Sequence, residues 1–334
     1  LFHFIIYYPN RKDFTCLLQR AGCAFYKAAL CCNCKENQNT VVKRQKRKVN
    51  DMKKKTAMML AGLVAAASLF GCSKDAASEI SVISREEGSG TRGAFVELLG
   101  IEEKDANGNK TDRTTEEAIV ASKTDVMLTQ VAGDEGAIGY VSLGSLNDTV
   151  KALKVDGAEA TAENVKNGSY PVSRPFNIAT KGQPTGLAKD FIDFILSKEG
   201  QAVISESYIS INDNAPAFAG TMPSGKIVVA GSSSVTPVME KLAEAYQKLN
   251  SGAKIEIQMS DSSSGMTSAA DGTCDIGMAS RELKDSEKQN LTSTSIALDG
   301  IAVIVNPANP ASDLSAAQIK SIFTGETTTW DEVK

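Results

Sequence analysis

Ile80-Ser81-Val82-Ile83-Ser84-Arg85-Glu86-Glu87-Gly88-Ser89-Gly90-Thr91 is a short β-branched run that breaks into a polar, glycine-spaced turn, and Arg92 to Leu99 follows with apolar residues at helical spacing. The run predicts a strand and the sequel a helix. The same grammar returns downstream. Ile227-Val228-Val229-Ala230 leads into Gly231-Ser232-Ser233-Ser234-Val235, after which Thr236-Pro237 reads as an N-cap followed by Pro at the first helical position. Val238, Leu242, Tyr246 and Leu249 then make one stripe, and Ile255-Glu256-Ile257 precedes Ser262-Ser263-Ser264-Gly265, which opens another helix. Ile138–Val141, Asp275–Ala279 and Ile301–Val305 read as further strands. Leu187–Ile204 reads as one amphipathic helix, and Ser315–Phe323 as a helix closed by Gly325. Tyr246 and Trp330 are expected in the core or at its rim. Strands alternating with helices predict an α/β fold.

The chain has 334 residues, enough for two domains. Through Gly71 it carries 13 Lys and Arg against 3 Asp and Glu. The 263 residues from Cys72 onward carry 23 against 37, a net charge of −14. Such a body has no general basic field for nucleic acid. The only histidine, His3, lies outside the body, which excludes Ser-His-Asp, Cys-His and His-ligated metal chemistry there. Cys274 is the single interior cysteine of the body, so no intramolecular disulfide framework is expected. Cys31, Cys32 and Cys34 lack a second ligand pair at zinc-site spacing, so no metal is expected.

Three polar turns, Gly88–Thr91, Ser233–Thr236 and Ser262–Gly265, each follow a strand and precede a helix. In that position backbone amides point outward unpaired and the helix dipole favours negative charge. One such turn is explained by an N-cap alone. Three, each richer in hydroxyls than a cap requires, favour a shared anion site. Charge-assisted hydrogen bonds contribute about 1.5–3 kcal/mol each. Six or more leave about −8 kcal/mol after association costs, near micromolar affinity. Arg85 is the expected fixed positive charge, with Glu87 holding its guanidinium. Gly88-Ser89-Gly90-Thr91-Arg92-Gly93 also fits the dinucleotide pattern G-x-G-x-x-G, with Asp112 as the ribose carboxylate. On that alternative the protein is a nucleotide-dependent enzyme, although Glu102–Thr115 is polar and turn-like where a second strand should lie. No G-x-S-x-G motif occurs in the body.

Ser84–Arg92 resembles the central signature of the phosphate-binding proteins of bacterial phosphate ABC transporters. Gly231–Pro237, Asp261–Gly265, Asp275–Arg281, Tyr170–Pro175 and Ile322–Gly325 with Thr329-Trp330 resemble further blocks of that family. The blocks occur in a different order here. The segment near Lys226, first in the family, follows the one near Ile80, so the chain resembles a circular permutant with the usual termini joined through the linker 216–225. The resemblance implies a two-lobe periplasmic-binding-protein type II fold with a hinge of crossing strands. Lobe A is expected at 80–171 plus 301–334, and lobe B at 172–300. The implied phosphate contacts are Arg85, Ser89, Gly90 and Thr91 from one lobe and Ser234, Thr236, Ser263 and Ser280 from the other. Many members carry an aspartate directly after the serine that matches Ser280. Here Arg281 stands there, either adding charge to the site or pointing to solvent. The implied function is non-enzymatic: extracytoplasmic capture of inorganic phosphate and delivery to the membrane subunits of an ABC permease. A sensor or scavenger, or a binder of another tetrahedral oxyanion, is the alternative. No cofactor is expected.

Lys53-Lys54-Lys55, the apolar run Ala57–Phe70 and Gly71-Cys72 have the layout of a secretory signal over 52–71. The run is shorter than the roughly 20 residues a membrane span needs. Leu69-Phe70-Gly71-Cys72 resembles the bacterial lipobox, which implies a lipid on Cys72, a polar tether over 72–79 and an anchor at the outer face of the cytoplasmic membrane. An ordinary signal with a chance cysteine is the other reading. Residues 1–51 have neither helical period nor turn grammar and are expected to be a non-native leader, with Met52 as the start. Mass spectrometry of the expressed protein should therefore yield no tryptic peptide from before Met52, and such a peptide would overturn that start.

Overall fold

A computed structural model describes residues 79–105 and 109–333. The expected leader, signal peptide and lipidated Cys72 lie outside the described residues, as do Cys31, Cys32 and Cys34. In chain order the elements are β1 (Ser81–Arg85), α1 (Gly90–Leu98), β2 (Glu102–Lys104), β3 (Lys110–Asp112), β4 (Ile119–Ala121), α2 (Thr124–Gly133), β5 (Ala137–Ser142), β6 (Lys151–Ala152), β7 (Lys154–Val155), α3 (Ala162–Lys166) and β8 (Ser173–Thr180). They continue with α4 (Gly186–Leu196), α5 (Lys198–Ile204), β9 (Gly225–Ser232), α6 (Thr236–Leu249), β10 (Ala253–Ser260), α7 (Ser262–Asp271), β11 (Ile276–Ala279), α8 (Asp285–Lys288), β12 (Thr292–Val305), β13 (Asp313–Leu314) and α9 (Ala316–Phe323).

One mixed sheet runs β10-β9-β11-β8-β12-β5-β1-β4, with β6 also on β12. β1 is parallel to β4 and β5, and β9 is parallel to β10 and β11. Antiparallel β8 and β12 connect these two parallel groups. β12 pairs with β8 over Thr292–Gly300, across an irregularity between Ser295 and Ala297, and with β5 over Ile301–Val305. The expected strand Ile301–Val305 is thus the end of one long strand.

Apolar side chains collect on either side of that crossing. Phe176, Phe191, Phe194, Val229, Leu242, Tyr246 and Ile276 share one buried cluster. Phe95, Ile101, Tyr140, Val303, Ile322 and Phe323 share another, in which Phe95 stacks on Tyr140 with centroids 4.0 Å apart and meets Phe323 edge-on at 4.8 Å. At the crossing Arg174 of β8 donates through Nε and Nη2 to Asp299 Oδ2 of β12, at 3.2 and 3.1 Å, and Ser142 of β5 donates to Asp299 Oδ1 at 2.9 Å. Burial pushes the Asp299 carboxyl up from the ordinary carboxylate range, and the Arg174 charge opposes it.

Several local expectations are corrected. The helix expected over 187–204 is two, because Ser197 turns extended (φ −77°, ψ 170°) and caps α5 by accepting from Gly200 N at 3.3 Å. The second helix then folds back so closely that a Cβ at Gly200 would lie 2.1 Å from Phe194 O, which makes glycine obligatory there. Val235, not Thr236, is the N-cap of α6, with Pro237 at its start. Val238, Leu242 and Tyr246 are buried as the stripe predicts, but Leu249 at the helix end is 54% exposed. Trp330 is half-buried and its indole donates to Gly136 O. Residues 216–224 form no regular element, and Gly225, the last residue of the expected linker, begins β9. They are pinned by Lys198 N to Pro216 O (2.7 Å), Phe218 N to Glu199 Oε2 (2.7 Å) and Thr221 N to Asp190 Oδ1 (2.7 Å).

Removing one partner of a buried ion pair strands the other charge in a low-dielectric interior. Asp299→Ala should cost about 3–5 kcal/mol in denaturant unfolding, and a cost near zero would show that the pair does not hold the crossing strands.

Candidate functional site

The parallel strands all direct their carboxyl ends to one place, the usual location of a ligand in open α/β sheets. β1 ends at Arg85 and β4 at Ala121, while β9 ends at Ser232, β10 at Ser260 and β11 at Ala279. After short turns β1, β4, β9 and β10 run into α1, α2, α6 and α7, so helix N-termini gather there. Ser89 caps α1 and Asp261 caps α7, whereas Lys123 and Val235 give α2 and α6 no side-chain cap.

Arg85 forms the centre, 2% exposed. Its Nε and Nη2 donate to the two carboxylate oxygens of Glu86 at 2.7 Å each. Nε also donates to Ala121 O (3.2 Å), Nη2 to Ser233 Oγ (3.0 Å) and Nη1 to Thr124 Oγ1 (3.4 Å). Its backbone is fixed by the phenol of Tyr140, which accepts from Arg85 N at 3.0 Å and lies 2.8 Å from Ser84 Oγ. Burial raises that phenol above the usual tyrosine range, so it stays protonated. The guanidinium is therefore held by Glu86 rather than the expected Glu87, which sits exposed in the turn.

Hydroxyls from both parallel groups meet around Arg85. Thr91 Oγ1 lies 2.9 Å from Ser234 Oγ, and Thr124 Oγ1 lies 3.3 Å from Ser233 Oγ and 3.4 Å from Ser234 Oγ. Beside them Ser280 Oγ accepts from Ser232 Oγ at 2.9 Å, and Ser280 N donates to Ser262 Oγ at 3.1 Å. Gly90 lies against this second group: a Cβ there would sit 2.3 Å from Ser262 Oγ and 2.8 Å from Ser280 Oγ, so a side chain would have to displace both hydroxyls. Arg85, Gly90, Thr91, Ser234 and Ser280 are thus brought together.

The other expected contacts have local partners. Ser89 accepts from Arg92 N (3.4 Å), Thr236 donates to Ser232 O (3.1 Å), and Ser263 accepts from Arg281 Nη2 (3.2 Å). Arg281 neither points to solvent nor stands as a free charge. It is 8% exposed and bidentate on Glu287 at 2.8 Å. Burial works against the Glu287 carboxylate, but Arg281 and the Lys284 amide and charge together hold Glu287 below the usual range.

Sequence reasoning missed Thr124, Ser232, Ser233 and Ser262 as members of the cluster. Ser232, Ser233 and Ser262 lie inside turns that had been singled out, but the Lys123-Thr124 start of α2 carries no turn chemistry. The dinucleotide alternative loses its geometry. Residues 102–104 and 110–112 form a polar antiparallel hairpin, the neighbours of β1 are β4 and β5, and Asp112 pairs with Arg92 at 2.7 Å. Among the described residues no group of His, Cys, Asp and Glu is arranged to hold a metal.

A family model described as a PBP superfamily domain matches residues 45–199 and 216–334. Phosphate-binding protein PstS 2 of Streptococcus agalactiae serotype V is 56% identical over 283 residues, 83% of this chain and 96% of that protein. PstS 2 of Streptococcus pneumoniae serotype 4 is 47% identical over 275 residues, 82% of this chain and 94% of that protein. The crystal structure of a phosphate-binding protein of a phosphate ABC transporter from Streptococcus pneumoniae TIGR4 superposes with a TM-score of 0.63 at 47% identity, covering 77% of this chain and 100% of that chain. Matches of that length follow the block order of this chain, so the rearranged order is shared by these relatives.

The Thr91–Ser234 contact joins the two parallel groups, and a neutral buried hydrogen bond contributes about 0.5–1.5 kcal/mol. A double-mutant cycle with Thr91→Val and Ser234→Ala should give a coupling of about that size in unfolding experiments. Strict additivity would place the two hydroxyls apart.

Proposed function

This chain belongs to the PBP superfamily, and from that we propose that it captures inorganic phosphate in the cluster around Arg85 and delivers it to the membrane subunits of an ABC permease. The observation that carries this reading is the convergence of a buried guanidinium, helix N-termini and hydroxyls from distant stretches of chain on one small volume. A tetrahedral dianion offers many acceptor lone pairs in all directions, which suits donors arriving from both parallel groups. The close relatives named as phosphate-binding proteins support the ligand.

Arg85, Gly90, Thr91, Ser234 and Ser280 are the proposed contacts within that volume. Ser89, Thr236 and Ser263 contribute through the turns they stabilise and through their amides. No bond is made or broken on this reading. The ligand favours the conformation in which the two groups of strands close on it, and the permease reads that conformation. The two lobes are proposed at 80–171 with 301–334 and at 172–300. The separate apolar clusters support this division, with Val172 and Ile209 crossing it to pack in the cluster of Phe95 and Tyr140. Delivery to a membrane partner is consistent with a lipid on Cys72, and no helix among the described residues is long and apolar enough to cross a membrane.

Calorimetry on the body from Ser73 onward should show phosphate binding near the micromolar range, with NAD giving no heat. Arg85→Ala should weaken phosphate at least a hundredfold, since it removes charge-assisted bonds of about 1.5–3 kcal/mol each. Unchanged affinity would reject this site, and binding of NAD but not phosphate would reject the function.

A further inference from the structure

A groove of about 430 Å³ runs up to the hydroxyl cluster from outside, and Thr124, Ser233 and Thr236 form its inner wall. Leu128, Pro237, Ile257 and Met259 line its sides together with the acidic Asp125 and Glu240, and Met259 is 40% exposed. It is large enough for a few heavy atoms beyond a phosphate. Yet Thr124 and Ser233, only 5% and 3% exposed, close its inner end, their hydroxyls 3.3 Å apart. Thr124 also lies 3.4 Å from Arg85 Nη1 and 3.4 Å from Ser234 Oγ, so it faces the centre of the cluster on one side and the groove on the other.

We propose that Thr124 is the specificity-determining residue of this site, one that binds the free oxyanion and excludes its monoesters. The proposal rests on the phosphate reading above. Thr124 opens α2, whose N-cap Lys123 supplies no side-chain cap. Its hydroxyl and the first-turn amides are then donors for an anion in the cluster. The same side chain and Ser233 occupy the path that the alkyl group of an ester would need in order to leave the cluster and enter the groove. A free dianion that takes over the hydroxyl–hydroxyl bonds behind them needs no such path. A monoester must either displace Thr124 or leave its alkyl group buried among hydroxyls and a guanidinium, where polar groups would lose partners. Space for the alkyl group exists immediately outside, so the bar is one side chain thick.

Two variants separate the roles. Thr124→Val keeps the bulk and removes the hydroxyl, and Thr124→Ala removes both. Calorimetry with inorganic phosphate, methyl phosphate and glycerol 3-phosphate should show that the wild-type body binds phosphate and prefers it at least a hundredfold over either ester. Thr124→Val should lose about tenfold in phosphate affinity, one charge-assisted hydrogen bond, and still reject the esters. Thr124→Ala should lose a similar factor for phosphate but narrow the preference over methyl phosphate by tenfold or more. Thr124→Ser should restore phosphate affinity, which shows that the loss is not general unfolding. The proposal is overturned if the wild type takes methyl phosphate as readily as phosphate, or if Thr124→Ala leaves the preference unchanged while still binding phosphate. A wild-type body that binds none of the three rejects the phosphate reading itself.

Discussion

The guanidinium of Arg85 is a full charge taken almost entirely out of water, and the site is organised by the need to compensate it. An unpaired buried charge costs several kcal/mol. Here the carboxylate of Glu86 supplies the opposite charge through two 2.7 Å bonds, while Ala121 O shares Nε and Ser233 and Thr124 accept from Nη2 and Nη1. The acceptors come from the turn after β1, from the end of β4, from the start of α2 and from the turn after β9. Satisfying one side chain therefore fixes the relative position of elements far apart in sequence. The pair with Glu86 also makes the centre close to neutral, so an anion is attracted chiefly by aligned dipoles and hydroxyls at short range. That is consistent with a body of net charge −14, whose distant exposed charges are screened over about 8 Å at physiological salt.

Hydroxyls suit this arrangement because each is donor and acceptor at once. Thr91 with Ser234, Thr124 with Ser233, and Ser232 with Ser280 satisfy one another, so the buried cluster carries little desolvation penalty of its own. A ligand must replace these neutral bonds, worth about 0.5–1.5 kcal/mol net, with charge-assisted ones worth about 1.5–3. The difference favours a dianion and gives a neutral solute nothing, which places selectivity in the chemistry of the bonds rather than in shape alone.

Much of this was legible in the sequence because the turns declare themselves. A β-branched run followed by Gly88-Ser89-Gly90-Thr91, or by Ser232-Ser233-Ser234, is a strand end, a turn and a helix start in one phrase. The choice between Glu86 and Glu87 was not legible, because it depends on which of two adjacent carboxylates the turn leaves on the strand side. Thr124 was hidden for a related reason. Its helix begins after Lys123 without a cap residue, and a missing cap looks like nothing in a sequence, although it frees amides for a ligand. The break at Ser197 escaped the helical period because Phe191, Ile192, Phe194, Ile195 and Val203 keep helical spacing across it. Only the cap bond to Gly200 and the close return past Phe194 reveal the corner.

The order of the blocks matters less to this fold than their pairing. The sheet places β9 between β10 and β11, and β1 between β4 and β5, and none of those neighbours depends on which block is translated first. A rearranged chain needs only that the old ends can be joined and the new ones parted without breaking a buried contact. The join over 216–224 is held to α4 and α5 by Asp190, Lys198 and Glu199 at the surface of one core cluster. At the parting, Glu79 still pairs with Thr329 as an antiparallel bridge, and Ile80 N donates to Thr328 O at 2.8 Å. The two stretches that the family order would join by covalent chain therefore stay side by side through hydrogen bonds. The strand ends that face Arg85 keep their geometry because connectivity was never what positioned them.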